Sequence, residues 1–220
     1  MNSNSLSLNE IAYNVLNALR GGRSSNNDYL STDQIKYIIK YWRARLIRQD
    51  QERNFNRYTM FEQSLGNVEF EEASLDENFD LYRTKMIIPS PVRLKDGEAI
   101  THVSVEGKTI PVIDEHRLEW EGYTKYISKR DKAYYQDGYI YIQSLEYIDS
   151  ANIRGIFEDP EKVFDFVNAQ EGTFAIYDDN SPFPMPMDMV DQIMSGILNG
   201  TLKMLVTTPN DTTTDTLQGA

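Results

Sequence analysis

The sequence predicts an α+β protein with an N-terminal αα-hairpin, an antiparallel β meander or barrel-like domain, and a C-terminal helix with a disordered tail. Apolar residues recur at helical spacing near both ends of the chain, while short β-branched and tyrosine-rich runs separated by turn signals fill its middle. The last residues contain almost no apolar side chains. The predicted divisions are a helical hairpin at 6–57, a β-rich domain at 58–180, a proline-rich connector with a helix at 181–206, and a tail at 207–220.

The first two predicted helices each begin at a capping box. In this motif a serine hydroxyl and an acidic or amide side chain three residues later satisfy backbone N–H groups at the helix start. Ser7 with Glu10 and Ser31 with Gln34 have this spacing, and each pair precedes an apolar repeat of three or four residues. We therefore predict two amphipathic helices packed as an antiparallel hairpin, with the second helix the longer.

Turn signals separate the predicted strands in the middle of the chain. Asp137-Gly138 and Glu106-Gly107 each lie between two β-branched or tyrosine-rich runs, and Lys95-Asp96-Gly97 marks a further turn. Two-residue hairpin loops need residues that tolerate positive φ, which glycine does freely. Turns about ten residues apart predict an antiparallel meander, sandwich or small barrel.

Proline and glycine shape the C-terminal part of the sequence. A short acidic helix is predicted near 159–163, where a proline suits the first turn. Three prolines stiffen the connector that follows: Pro182, Pro184 and Pro186. A third apolar stripe begins at Val190. Gly196 and Gly200 each weaken that helix by about 1 kcal/mol relative to alanine, so it needs a packing partner.

Composition and charge exclude several classes of function. The chain has 220 residues, no cysteine and two histidines, so disulfides, thiolate metal sites and thiol nucleophiles are impossible. No apolar run is long enough to predict a membrane span. The net charge of −12 argues against a simple nucleic-acid binder. Residues 1–57 contain nine basic and five acidic side chains, a net charge of +4, which leaves −16 on the rest of the chain.

The motifs that would indicate catalysis are weak or missing. Residues 106–109 resemble the end of a phosphate-binding loop, but His102 stands where that loop requires glycine. His102 and His116 have acidic neighbours, yet a lone histidine in a strand is more often an ordinary core or surface residue. The serine elbow Gly-x-Ser-x-Gly does not occur. We therefore predict no catalytic, cofactor-binding or metal-binding residues.

Two segments carry the candidate interface residues. In the basic second helix these are Lys36, Lys40, Trp42, Arg43, Arg45 and Arg48. In the predicted β-hairpin they are Tyr134, Tyr135, Tyr139 and Tyr141. The periodicity places Trp42 on the apolar stripe and the five basic residues off it. These basic residues suit phosphates, an acidic partner or head-to-tail contact between identical subunits. The tyrosines suit sugars, bases, a protein interface or simply a half-buried strand.

Several short segments resemble structural proteins of crAss-like bacteriophages, which have short tails. They are Asn9-Glu10-Ile11-Ala12, Leu19-Arg20-Gly21-Gly22, the stretch 33–39, the stretch 63–69, Leu81-Tyr82-Arg83-Thr84-Lys85 and Gly155-Ile156-Phe157-Glu158-Asp159-Pro160. In that group such chains are neck ring proteins, similar to the head-to-tail connectors called adaptors, gatekeepers or tubular tail proteins. The resemblance covers most of 6–206.

The resemblance implies a structural role in the virion and no cofactor. It implies a homododecameric ring in the neck, contacting the portal and other neck or tail rings, with DNA passing through without sequence-specific binding. Assembly in the host bacterial cytoplasm, away from membranes, is also implied. Two alternatives come from the residues themselves: a hydrolase-like enzyme with an antiparallel β core, and a tyrosine-based module that binds glycans or nucleic acid.

Overall fold

The computed structural model of the chain describes residues 6–19, 31–53, 61–75, 80–95, 97–114, 117 and 131–201. Within them the α+β fold is confirmed. The described ranges contain the helices α1 (Leu8–Leu19), α2 (Thr32–Arg53), α3 (Pro160–Glu171) and α4 (Met187–Gly196), the last continuing into a π-helical turn (Ile197–Thr201). The strands are β1 (Gln63–Leu75), β2 (Asp80–Thr84), β3 (Arg93–Leu94), β4 (Gly97–Glu98), β5 (Ile100–Val105), β6 (Lys108–Ile110), β7 (Lys132–Gln136), β8 (Tyr139–Ser144) and β9 (Ser150–Gly155).

Both capping boxes form as predicted. The Ser7 N–H donates to Glu10 Oε2 at 2.8 Å, and the Glu10 N–H donates back to Ser7 Oγ at 3.2 Å. Ser31 and Gln34 make the same pair of bonds at 3.0 and 3.2 Å. The capped helices α1 and α2 pack against each other through buried apolar residues, as the hairpin prediction required. The loop predicted between them lies outside the described residues.

A seven-stranded antiparallel sheet, ordered β6-β5-β9-β1-β2-β8-β7, forms the body of the protein. The long strand β1 changes partner along its length, because its first half pairs with β9 and its second half with β2. The register shifts between Ser64 and Gly66 and again between Glu72 and Ser74. Such bulges bend a strand and increase its twist, which allows one strand to join the two halves of a curved sheet.

The two edges of this sheet meet, which makes it barrel-like. Val112, just after β6, forms a parallel bridge with Ala133 of β7. The Ile113 N–H donates to the Ala133 carbonyl at 2.9 Å, and the Ala133 N–H donates to the Pro111 carbonyl at 3.0 Å. Closure of this kind satisfies backbone groups that an open sheet edge would offer to another chain.

The two predicted two-residue hairpin loops are confirmed. Glu106 and Gly107 connect β5 to β6 with φ of 49° and 83°, and Asp137 and Gly138 connect β7 to β8 with φ of 50° and 88°. Positive φ at both central positions matches the twist of the flanking strands. The turn predicted near Lys95 joins β3 to β4, although its central residue 96 lies outside the described part of the chain.

The described residues form two hydrophobic cores. The barrel core contains side chains from β1, β5, β8 and β9, and α3 covers it with Val163 and Phe166. The second core joins α1, α2 and α4 to Val92, Ala99 and Ile156 at the edge of the barrel. The N-terminal hairpin and the C-terminal helix therefore share one core, whereas the four sequence divisions stay a prediction.

The proline connector lies against the start of the chain. Pro182 forms an antiparallel bridge with Ser7, and the Phe183 N–H donates to the Leu6 carbonyl at 3.1 Å. Pro186, in an extended conformation, precedes α4. These contacts place α4 next to the hairpin formed by α1 and α2. The predicted tail at 207–220 lies outside the described residues.

Gly196 of α4 has the packing partner that the sequence required. A Cβ at this position would lie 2.7 Å from Cζ3 of the Trp42 ring on α2. We expect Gly196→Val to lower the free energy of unfolding by about 2 kcal/mol, since the ring must move out of its contact. Urea unfolding checks this, with Gln192→Val at an exposed position of the same helix as the control. Equal losses in the two variants would contradict the packing role.

Candidate interface surfaces

The outer face of α2 borders an open groove, here called the α2 groove. Its main walls are Tyr37, Tyr41, Arg45, Arg48, Arg93 and Lys162. Tyr37 is 73% exposed and Tyr41 is 56% exposed, whereas tyrosine is typically intermediate in burial. The groove has a volume of about 540 Å³. Aromatic rings and arginines in a concave surface are the composition of protein interface cores.

The α2 groove is positively charged in an acidic protein. Five basic residues line it: Lys40, Arg45, Arg48, Arg93 and Lys162. Two acidic residues, Glu158 and Asp159, also line it. The lining residues thus carry a formal charge of +3, or +1 when Glu161 and Glu52, the ion-pair partners of Lys40 and Arg48, are included, while the whole chain carries −12. A positive cleft in a negative molecule attracts acidic groups of a partner and orients their approach.

The aromatic and basic side chains of this face support one another. The Arg45 guanidinium lies 4.8 Å from the Trp42 ring centroid, a cation–π distance, and Tyr41 meets the same ring edge-on at 6.5 Å. Arg48 donates to Glu52 at 3.0 Å, one helical turn later. These contacts hold Arg45 and Arg48 in defined positions before any partner binds.

Lys36 and Lys40 make ion pairs inside the subunit. Lys36 Nζ donates to Asp179, and Lys40 Nζ contacts Asp159 at 3.1 Å and also Glu161. Burial alone lowers the pKa of Lys40, but the hydrogen bonds to Glu161 and Asp159 outweigh it and raise this pKa above its ordinary value. Both lysines thus tie α2 to the C-terminal half of the chain.

Arg43 is buried, so its predicted position off the apolar stripe was wrong. Its Nε donates to the Pro184 carbonyl at 3.1 Å, and its Nη1 donates to the carbonyls of Phe157 at 2.8 Å and Glu158 at 3.4 Å. Burial lowers the Arg43 pKa to about 10, which leaves the guanidinium charged at neutral pH. Helix α2 is covered on a second side by the β9–α3 connection, which widens its buried face.

The four hairpin tyrosines largely contact their own subunit. Tyr134 is buried and stacks on Tyr141, with ring centroids 5.2 Å apart and planes 11° from parallel. Arg83 lies 5.3 Å from the Tyr139 ring centroid, and Tyr135 packs partly buried against the barrel core. Burial raises the pKa of Tyr135. A partner-binding role for these residues stays a prediction.

The histidines and acids form no evident site in the described structure. His102 lies half-buried in β5 opposite Arg154, and His116 is outside the described residues. Within the ranges given above, no three His, Asp or Glu side chains are grouped closely enough to hold a metal ion. Among the described helices, none combines the length and the apolar character that crossing a bilayer requires.

One exposed segment was not predicted from the sequence. Residues 173–178, here called the strap, follow the left-handed C-cap of α3 at Gly172. The Asn168 side chain holds its first half by donating to the Ala175 carbonyl at 3.2 Å and accepting from Thr173 Oγ1 at 3.0 Å. Phe174 is fully exposed and Ile176 is 92% exposed. Apolar residues at alternate positions are more typical of a half-buried strand. The sequence pattern therefore gave no sign that Phe174 and Ile176 are exposed.

The far end of the strap is also anchored. Tyr177 is half-buried and meets Phe164 of α3 edge-on at 5.6 Å. Asp179, just beyond the strap, accepts from Lys36, and its carbonyl accepts from the Asn9 N–H at 3.2 Å. The strap is therefore fixed at both ends, and its two apolar side chains project between the anchors.

Comparison with known proteins identifies a family. No curated protein matches the chain significantly. A family model described as phage tail ring protein 2 matches residues 10–218, nearly the whole sequence. The match agrees with the resemblance carried by the sequence segments above. The chain therefore belongs to the phage tail ring protein 2 family of crAss-like phages.

Proposed function

We propose that the chain forms a homo-oligomeric ring of the virion neck, below the portal, through which the genome passes. The observation that carries this proposal is the family match over residues 10–218, since the family is one of phage tail ring proteins. The finer features, namely twelve copies, contact with the portal and passage of the genome, come from the sequence resemblance.

The described surface suits assembly by unlike faces. A ring needs a heterologous contact, in which one surface of a subunit meets a different surface of its neighbour. The bridge between Val112 and Ala133 joins the two edges of the main sheet at one point, which leaves less open edge for pairing with another subunit. The α2 groove and the strap are two exposed, chemically unlike surfaces, which is what such a ring requires.

The charge distribution supports passage of DNA without adhesion. Residues beyond 57 carry a net charge of −16. Binding of DNA depends on basic side chains that replace phosphate counterions, so a channel lined by acidic parts of the chain would let the genome slide. A ring whose channel is lined with arginines would contradict this part of the proposal.

Localisation in the particle tests the proposed position. We expect antibodies against this chain to label intact virions at one site, the junction of head and tail, because a neck ring occurs once per particle. Electron microscopy of immunogold-labelled virions measures this, with antibodies against the major capsid protein as the control for accessible labelling. Labelling at the tail tip, along fibres or over the capsid would contradict a neck ring.

A further inference from the structure

We propose that the strap of one subunit binds in the α2 groove of the next subunit around the ring. This inference rests on the proposed ring and names the contact that builds it. The occupant of the groove is thus a second copy of this chain, contributed through Phe174 and Ile176.

The strap is held in one conformation by contacts within its own subunit. Asn168 fixes its first half, and the contacts of Tyr177 and Asp179 fix its end. With the strap anchored in this way, the side chains of Phe174 and Ile176 remain exposed to solvent. Because the anchors belong to the same subunit, burying both apolar side chains requires a second molecule. Little conformational entropy remains to be lost when that molecule binds.

The groove supplies the complementary surface. Tyr37 and Tyr41 provide exposed aromatic walls against which Phe174 and Ile176 can pack. Tyrosine and arginine are among the residue types that most often dominate binding energy near the centre of protein interfaces. The apolar part of the strap therefore matches the apolar part of the groove.

Charge complementarity selects this partner over others. Acidic residues flank the strap, Glu171 before it and Asp178 at its end, and both are exposed. The residues lining the groove carry a formal charge of +3, or +1 with the ion-pair partners Glu52 and Glu161 included. Arg45 and Arg93 in the groove can thus face the carboxylates on either side of the inserted apolar residues, whereas Arg48 already pairs with Glu52. Opposite charges around an apolar centre fix the register of a contact and exclude like-charged partners.

The two surfaces form a heterologous contact, because the strap follows α3 and the groove lies on α2. Each subunit then offers a strap to one neighbour and a groove to the other. Repetition of such a contact gives a closed ring when the rotation between subunits divides a full turn.

Cysteine cross-linking tests the contact directly, since the natural chain contains no cysteine. The test variant combines Ile176→Cys on the strap with Ala44→Cys in the groove, which leaves Phe174, Tyr37 and Tyr41 in place. The control combines Ile176→Cys with Leu145→Cys, an exposed position outside the groove. Each full-length variant is treated with a short bismaleimide and separated on a denaturing gel, after its native mass has been measured.

The outcomes separate the contact from the ring. We expect a ladder of covalent multimers up to the full ring in the test variant and no extended ladder in the control. A ring by native mass with no ladder in the test variant would overturn the strap contact while leaving the proposed function intact. A chain that stays monomeric by native mass would overturn the ring, and the contact with it.

A second variant measures the contribution of the apolar side chains. Phe174→Ser with Ile176→Ser removes them without disturbing the fold, because both are exposed in the single subunit. We expect the protein concentration at half assembly to rise at least about tenfold, while the unfolding midpoint of the monomer stays unchanged. Leu145→Ser is the matched control. Assembly as efficient as in the natural chain would argue decisively against the strap.

Discussion

Arg43→Met is expected to lower the free energy of unfolding by about 3 kcal/mol. The natural guanidinium joins three segments, since it donates from α2 to the carbonyls of Phe157 and Glu158 before α3 and of Pro184 in the connector. Methionine fills similar space but donates no hydrogen bond. Carbonyls in a water-poor site then lose their partners, which costs about 1–3 kcal/mol each.

The expected loss of unfolding free energy is smaller than the summed cost of the broken hydrogen bonds, because removing a buried charge is itself favourable. Burial already disfavours the charged guanidinium, as its lowered pKa of about 10 indicates. Replacing the charge relieves that cost. The net effect remains large because Arg43 also packs over the Phe183 ring, 5.6 Å from its centroid, within the core that joins α1, α2 and α4.

Guanidinium chloride unfolding, monitored by circular dichroism, measures the Arg43 effect. Arg154→Met is the control, because Arg154 is exposed on β9 and lies outside the groove. The control should change stability by no more than about 0.5 kcal/mol. If the two variants unfold at the same denaturant concentration, Arg43 does not hold the three segments together.

Gly155→Ala should cost about 2–3 kcal/mol, the second largest effect that we expect. Gly155 ends β9 and is paired on both sides, with Gln63 of β1 and with Ile100 of β5. A Cβ there would lie 2.8 Å from the Ala99 carbonyl oxygen and 3.3 Å from Cζ of Phe157. The oxygen belongs to the backbone, so no side-chain rotation relieves the clash.

The Ala99 carbonyl, which the added Cβ would displace, also accepts a hydrogen bond between two segments. The Ala99 oxygen accepts from the Ile156 N–H at 2.9 Å, one of the bonds joining the β5 side of the barrel to the segment before α3. Gly172→Ala is the control in the same unfolding measurement. No neighbour lies within 4 Å of its Cβ, and only its φ of 66° opposes the change, at about 1 kcal/mol. Gly155→Ala costing no more than this control would contradict the close approach.

Local chemistry explains the parts of the fold that the sequence predicted. The capping boxes at Ser7 and Ser31 and the Asp137-Gly138 turn depend on residues within a few positions of one another. Closure of the barrel does not, because the bridge between Val112 and Ala133 joins strands at opposite ends of the sheet order, and that order depends on long-range pairing. The change of partner along β1 likewise depends on bulges and long-range pairing, for which its sequence carries no distinct pattern.

The candidate interface was predicted only in part, for a similar reason. The exposed arginines and tyrosines of α2 follow from its periodicity, but the ion pairs of Lys36 and Lys40 join residues more than a hundred positions apart. Arg43 did carry a local signal. It lies one helical turn from Ile39 and one from Ile47, both fully buried. Its charge argued for exposure, and the second covering layer on α2 was not visible in the sequence.

The ring itself is the central claim, and native mass spectrometry of the purified full-length chain tests it most directly. The subunit mass is 25.4 kDa. We predict one dominant assembly at a fixed integer multiple of that mass, twelve being the number that the resemblance implies, with a central opening visible by negative-stain microscopy. A species of 25.4 kDa alone at every concentration measured, or a continuous series of open chains, would contradict the account.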